Sequence, residues 1–212
     1  MERIACFGDS ITYGHEFSVG HSWPAHLNRQ LELLFPGRFE IENRGIGGDT
    51  TIQALDRIDY VLSTRPKWVF IQFGLNDCSV RPGRKIPRCG LATYQENLAE
   101  IIRIIRVHKG NPILLTNHPI GSGMAKSAQG NGRDYILNFK PYQPAIRAVA
   151  KKCKVPLIDL EAVMLKAKIK ATDIVRADKV HLKQEANPLY ARLVLDGFMG
   201  IHPELKKLRG KK

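Results

Sequence analysis

Five short, largely apolar runs at 3–7, 39–43, 68–73, 113–116 and 156–158 alternate with longer amphipathic segments. This alternation constrains the fold more than any other feature. A run of three to six apolar residues suits a strand buried on both faces and is too short for most helices. Segments 23–35, 51–63, 93–108, 141–152 and 185–198 carry helical spacing instead, most clearly where Ile101, Ile102, Ile104 and Ile105 share one face. A β-α unit repeated about five times predicts an α/β fold, a parallel five-stranded sheet with helices on both faces. The expected strand order is the flavodoxin-like 2-1-3-4-5.

No Pro-, Gly- or Ser-rich linker divides the 212 residues, and 43% hydrophobic with 25% charged content is ordinary for a globular chain. One domain over 1–212 is therefore expected, with a basic, solvated tail from about 205 to 212. Cys6, Cys78, Cys89 and Cys153 form no C-x-x-C pair, and no Cys/His cluster has zinc-ligand spacing. Neither a metal nor a cofactor is expected. The chain passes from Met1-Glu2-Arg3 directly into the first apolar run, so the reading is a cytoplasmic protein.

The net charge of +13 is uneven: residues 1–60 carry −4 and the remainder +17. Such a field can attract an anionic substrate, a membrane face or nucleic acid. No aromatic-basic motif accompanies it, so nucleic acid is not an expected partner and membrane contact has no support beyond charge. A solubilising surface is the plainer reading. Nothing in the sequence speaks to oligomeric state.

Four short motifs fall where the predicted strands end, at the edge where open parallel sheets bind ligands. Gly8-Asp9-Ser10 sets a hydroxyl just beyond the first strand. Gly45-Ile46-Gly47-Gly48-Asp49-Thr50 leads from the second strand into a helix and offers backbone N–H groups at a helix start. It misses the dinucleotide fingerprint, which would require glycine at Thr50. Gly74-Leu75-Asn76-Asp77 follows the third strand, and an Asn76 amide there can donate to a developing oxyanion. Of seven histidines only His181 has a carboxylate three residues earlier, Asp178, which could fix its tautomer. Alone, each motif reads as readily as a turn, a helix cap or a surface ion pair.

In this order and spacing, the four motifs resemble those of the SGNH hydrolases, the GDSL esterase/lipase family, over nearly the whole chain. The resemblance implies a three-layer α/β/α sandwich and a cofactor-free serine esterase. Its nucleophile would fall on Ser10, its base on His181 and its orienting acid on Asp178. Its oxyanion donors would be the Ser10 and Gly48 backbone N–H groups and the Asn76 side chain. The chain departs from the pattern at Lys179 and Ala186, where the family often has glycine. No G-x-S-x-G elbow, H-E-x-x-H or G-x-x-x-x-G-K-[ST] sequence supports another hydrolase class.

The substrate is less constrained. A short-acyl ester such as an O-acetylated carbohydrate is expected; a lysophospholipase or thioesterase activity, an acyltransferase and a non-catalytic binding module are the alternatives. Asp9, Asp77, Arg81, Arg84 and His118 are candidate substrate contacts. The arginines, in the basic segment 78–90, suggest an anionic ester. That segment and the Gly-, Ser- and Asn-rich 121–133 are candidate lids.

Overall fold

The structure, a computed structural model, describes residues 1–14, 19–123 and 129–209. Strands β1 (Glu2–Gly8), β2 (Phe39–Gly45), β3 (Trp68–Gln72), β4 (Asn111–Leu115) and β5 (Leu157–Ile158) form one sheet in the order β2-β1-β3-β4-β5. Every pairing is parallel. β3 is buried at all five positions, which explains the apolar run Trp68–Ile71: with both faces covered, alternation with polar residues has no place, and the buried Gln72 at its end is hydrogen-bonded to Thr12.

Helices fill both faces. The short α1 (Ser10–Tyr13) caps the end of β1, and α2 (Trp23–Leu34) crosses from β1 to β2. After β2 come α3 (Thr51–Asp56) and α4 (Ile58–Leu62), and after β3 the long α5 (Leu91–Val107). Helices α6 (Tyr135–Phe139) and α7 (Tyr142–Cys153) lead to β5. Beyond it lie α8 (Leu160–Lys166), α9 (Ala171–Ile174), α10 (Asn187–Ile201) and α11 (Leu205–Arg209). α2 and α10 pack together on one face, while α3, α5 and α7 cover the other. Trp23, Leu27 and Leu31 of α2 are buried with Tyr190, Val194 and Phe198 of α10. The Phe198 ring meets Trp68 and Phe70 of β3 edge-on at 5.3 and 5.2 Å, an arrangement aromatic rings favour. This is the expected α/β/α sandwich.

Three local expectations fail for physical reasons. The single helix expected over 51–63 is two, because Arg57 leaves helical geometry (φ −119°, ψ 13°) and turns its guanidinium inward. α8 was not anticipated; the Asp159 side chain caps it by accepting from Ala162 N. The segment from 205 is not a loose tail at its start, since Leu205 is fully buried and His202 Nδ1 accepts the Glu204 and Leu205 N–H groups. Residues 210–212 of that tail and 124–128 of the expected second lid lie outside the described residues.

Candidate active site

All four motifs meet at the carboxyl ends of β1, β2 and β3, and each is fixed by a recognisable local device. Asp9 ends β1 and caps α1, its Oδ1 accepting Ile11 N at 3.0 Å. Ser10 is thereby the first residue of α1, where the backbone N–H has no partner within the helix. Ser10 as a whole is only 9% exposed. β2 ends against the same turn. A Cβ on Gly45 would lie 2.2 Å from Tyr13 N, so only glycine permits that approach. Asn43 reinforces it, donating to Thr12 O at 2.9 Å.

The loops after β2 and β3 carry the remaining candidate residues, Gly48 and Asn76. Gly48 takes φ +84°, a conformation costly for residues with a Cβ, and Thr50 then caps α3 in a reciprocal capping box with Gln53. Gly47 approaches Ser10 closely: a Cβ added to it would stand 4.0 Å from Ser10 Cβ. The Asn76 Nδ2 atom is buried with no hydrogen-bond partner among the described residues. An unpaired buried amide N–H costs stability, and a donor of this kind can serve a developing anionic oxygen.

His181 is carried by a tight loop. Arg176 N donates to His181 O at 2.8 Å, Lys183 N donates to Ile174 O, and Val175 bridges Leu182 in antiparallel fashion. Inside this loop Asp178 Oδ1 accepts both Val180 N and His181 N at 2.9 Å, and Oδ2 lies 2.8 Å from His181 Nδ1. The other ring nitrogen, Nε2, lies 2.9 Å from Ser10 Oγ. Burial would raise the Asp178 carboxyl, but the two backbone N–H groups and the imidazole outweigh it and hold the group below the usual range. An ionised Asp178 selects the His181 tautomer with hydrogen on Nδ1, leaving Nε2 able to take the Ser10 proton. A hydroxyl, a base, an orienting carboxylate and a buried amide donor on one edge are the parts acyl transfer needs.

A model of the GDSL-like lipase/acylhydrolase family matches residues 6–188. The chain belongs to this family. It is 32% identical to the Bacillus subtilis (strain 168) protein named uncharacterized lipoprotein YqeF, over 74% of this chain and 70% of that one. It is 26% identical to an arylesterase of Vibrio mimicus, over 91% and 86%. Among solved structures, a lipase/acylhydrolase from Enterococcus faecalis matches with a TM-score of 0.74 at 27% identity, covering 100% of this chain and 97% of that one. An acetylxylan esterase from Geobacillus stearothermophilus shares the fold with a TM-score of 0.73 at 19% identity, over 92% and 93%. No helix among the described residues is long and apolar enough to cross a membrane.

Within this GDSL scaffold three expected substrate contacts take another role. Asp9, Asp77 and His118 are all fully buried and cannot touch a ligand. Burial pushes the Asp9 carboxyl up to about 7, with the charges of Asp77 and Asp49 adding to the rise. Asp77, also raised by burial, accepts Thr51 N at 2.9 Å and Thr51 Oγ1 at 2.6 Å, which ties the Asn76 loop to the start of α3. His118, lowered to about 4 by burial, is neutral, and its Nε2–H donates to Val180 O at 2.8 Å inside the His181 loop. Arg81 and Arg84 remain exposed.

One residue that the sequence reading passed over holds the frame together. Arg57 donates from Nε to Asp49 Oδ2 at 2.6 Å, from Nη1 to Arg44 O at 2.8 Å and from Nη2 to Gly8 O at 3.0 Å. Its guanidinium also stacks over Phe7 at 4.7 Å. A single planar cation thus joins the ends of β1 and β2 to the Gly48-Asp49 turn. The only sequence signal was an arginine within an amphipathic helix pattern, which ordinarily denotes a solvated face.

Proposed function

We propose that the chain is a serine ester hydrolase working through an acyl-Ser10 intermediate. The observation that carries this reading is the continuous chain from Ser10 Oγ through His181 to Asp178, at 2.9 and 2.8 Å, supported by Asn76 Nδ2, which has no hydrogen-bond partner among the described residues. His181 Nε2 takes the Ser10 proton as Oγ attacks the ester carbonyl. The Ser10 and Gly48 backbone N–H groups and Asn76 Nδ2 receive the oxygen as it becomes negative. His181 then gives its proton to the leaving alcohol, and water activated by the same nitrogen releases the acid and restores Ser10. Asp178 remains ionised throughout and steadies the imidazolium.

The proposed acyl part is short. An O-acetylated carbohydrate is the proposed substrate type, and likeness to the fold of an acetylxylan esterase is in keeping with it. The test is a panel of p-nitrophenyl and sugar esters of increasing acyl length, run beside Ser10→Ala and a fluorophosphonate label. Turnover and labelling should vanish together in the variant. Wild-type turnover by Ser10→Ala would overturn the assignment.

A further inference from the structure

Beyond the reacting atoms lies a concavity with an unusual lining. Thr50, Ile52 and Gln53 form one wall, from the start of α3; Arg81, Arg84 and Arg88, with Ile86 and Pro87, form the other. The first wall begins two residues after Gly48 and the second five after Asn76, so both continue the loops that carry the oxyanion-side donors.

None of the three arginines has an ion-pair partner among the described residues, although most arginines elsewhere do: Arg3, Arg38, Arg44, Arg57, Arg103, Arg147 and Arg192 each meet a carboxylate. Arg88 is half-buried, and burial first and the Arg81 charge second disfavour its cation, against weaker support from Asp77 and Asp49. Arg88 is therefore held as a cation beside Arg81 against that repulsion and its own burial.

The wall that holds them is braced. Arg88 N donates to Ser79 O and Cys89 N to Asp77 O, closing the segment at its base. Its tip rests on Gly130, where an added Cβ would come within 2.2 Å of Arg81 O and 2.4 Å of Arg84 O. Val80 N donates to Gln129 Oε1, and Lys85 Nζ donates to Gly130 O. The backbone that carries the arginines is consequently braced, which reduces the part of the ordering cost of ligand capture that the loop would otherwise add.

From this geometry we infer that the concavity is a subsite for an anionic group, a carboxylate or phosphate, borne by the ester substrate. Guanidinium groups match the paired oxygens of such anions, while Ile52, Ile86 and Pro87 accept the carbon skeleton next to them. The inference rests on the esterase reading and sharpens its substrate class. The anion can be supplied by an acidic alcohol portion or by a short dicarboxylic acyl group, and the two sources are separable.

The experiment compares kcat/KM for matched esters, each normalised to its alkaline hydrolysis rate. p-Nitrophenyl hemiglutarate against p-nitrophenyl valerate varies charge on the acyl part; 4-acetoxybenzoate against its methyl ester varies it on the alcohol part. At low salt the charged member of one pair should be favoured about tenfold or more, and rising salt should erode the preference. Arg81→Gln/Arg84→Gln, both exposed positions, should bring the charged ester down to its neutral partner mainly through KM. Calorimetric binding of glutarate to the wild type, lost in the double variant, gives a readout that needs no turnover. Equal rates within both pairs together with no glutarate binding overturn the subsite. Failure of every ester with intact glutarate binding overturns the esterase reading and leaves the subsite standing.

Discussion

Replacing Asp178 by asparagine isolates what the carboxylate does, because the local geometry dictates how the new amide must lie. Asp178 Oδ1 accepts two backbone N–H groups, from Val180 and His181, both at 2.9 Å. The amide oxygen of Asn must occupy that position. Reversing it would set an NH2 group against two N–H donors and forfeit two hydrogen bonds of roughly 1 kcal/mol each, with a further penalty for the donors left unpaired. The NH2 therefore faces His181 Nδ1, in the place of Oδ2 at 2.8 Å. Nδ1 must then accept, the ring hydrogen moves to Nε2, and Nε2 can no longer take the Ser10 proton. Restoring the useful tautomer costs at least about 2–3 kcal/mol, and with 1.4 kcal/mol per factor of ten this sets a floor of roughly 30- to 100-fold in kcat. The same substitution in a serine protease costs about 10⁴, so kcat should fall by about 10² to 10⁴ with KM nearly unchanged. His181→Ala, which removes the base itself, should lose more. The assay is steady-state hydrolysis of p-nitrophenyl acetate, with imidazole ¹⁵N shifts reporting which nitrogen carries hydrogen. A variant within threefold of wild type in kcat, or one still protonated at Nδ1, would refute the tautomer argument.

Three further outcomes are expected. Arg57→Ala strips a largely buried carboxylate and two carbonyls of their donor, and should cost on the order of 3–5 kcal/mol in urea unfolding while lowering kcat; Arg57→Lys, able to reach fewer of the three acceptors, should fall between. Gly45→Ala drives a Cβ into the backbone at Tyr13 and Thr12, so it should cost at least about 2 kcal/mol and reduce turnover by moving Ser10; full activity and unchanged unfolding would contradict the contact. Asp9→Asn should change how stability depends on pH. Asp9 holds its proton in the folded chain up to about 7, against an ordinary value of 3.8, so the folded state binds more protons in that window and the wild type loses stability as pH rises through it. For a fully buried group the loss is on the order of 4 kcal/mol, and unfolding at pH 4.5 and 7.5 should show a flatter profile in the variant.

The architecture was legible in the sequence because two-sided burial and helical amphipathicity leave one-dimensional patterns. Each of the five strands lies within a few residues of its expected place, and the motifs fall at strand ends for the same reason. Contacts between distant segments leave no such trace. Arg57 went unremarked because its three acceptors, Asp49 and the carbonyls of Arg44 and Gly8, are dispersed along the chain. His118 and Asp77 were read as ligand contacts because polar residues after strands usually face the cleft, yet here each satisfies a neighbouring loop instead. Leu205 looked like part of a solvated tail, since six of the eight residues from 205 to 212 are Lys, Arg or Gly, and one buried side chain is invisible in such a composition.

Lys179 links the reading of sequence to the physics of the site. It stands where the resemblance leads one to expect glycine, and the backbone there does adopt φ +70°, a region costing a non-glycine residue roughly 1–2 kcal/mol. The conformation persists because the loop over-determines it. Lys179 N donates to Arg176 O, Lys179 O accepts from Gly121 N at 2.8 Å, and both Asp178 and His118 bind the next turn of chain. The stem of Lys179 also lies against Gly121, where an added Cβ would sit 3.0 Å from it. The glycine that this close approach needs thus stands not in the His181 loop itself but in the segment after β4 that faces it. The loop keeps the shape that brings His181 to Ser10, and the constraint is met by a partner fifty-eight residues away, where a motif confined to Asp178-Lys179-Val180-His181 could not record it.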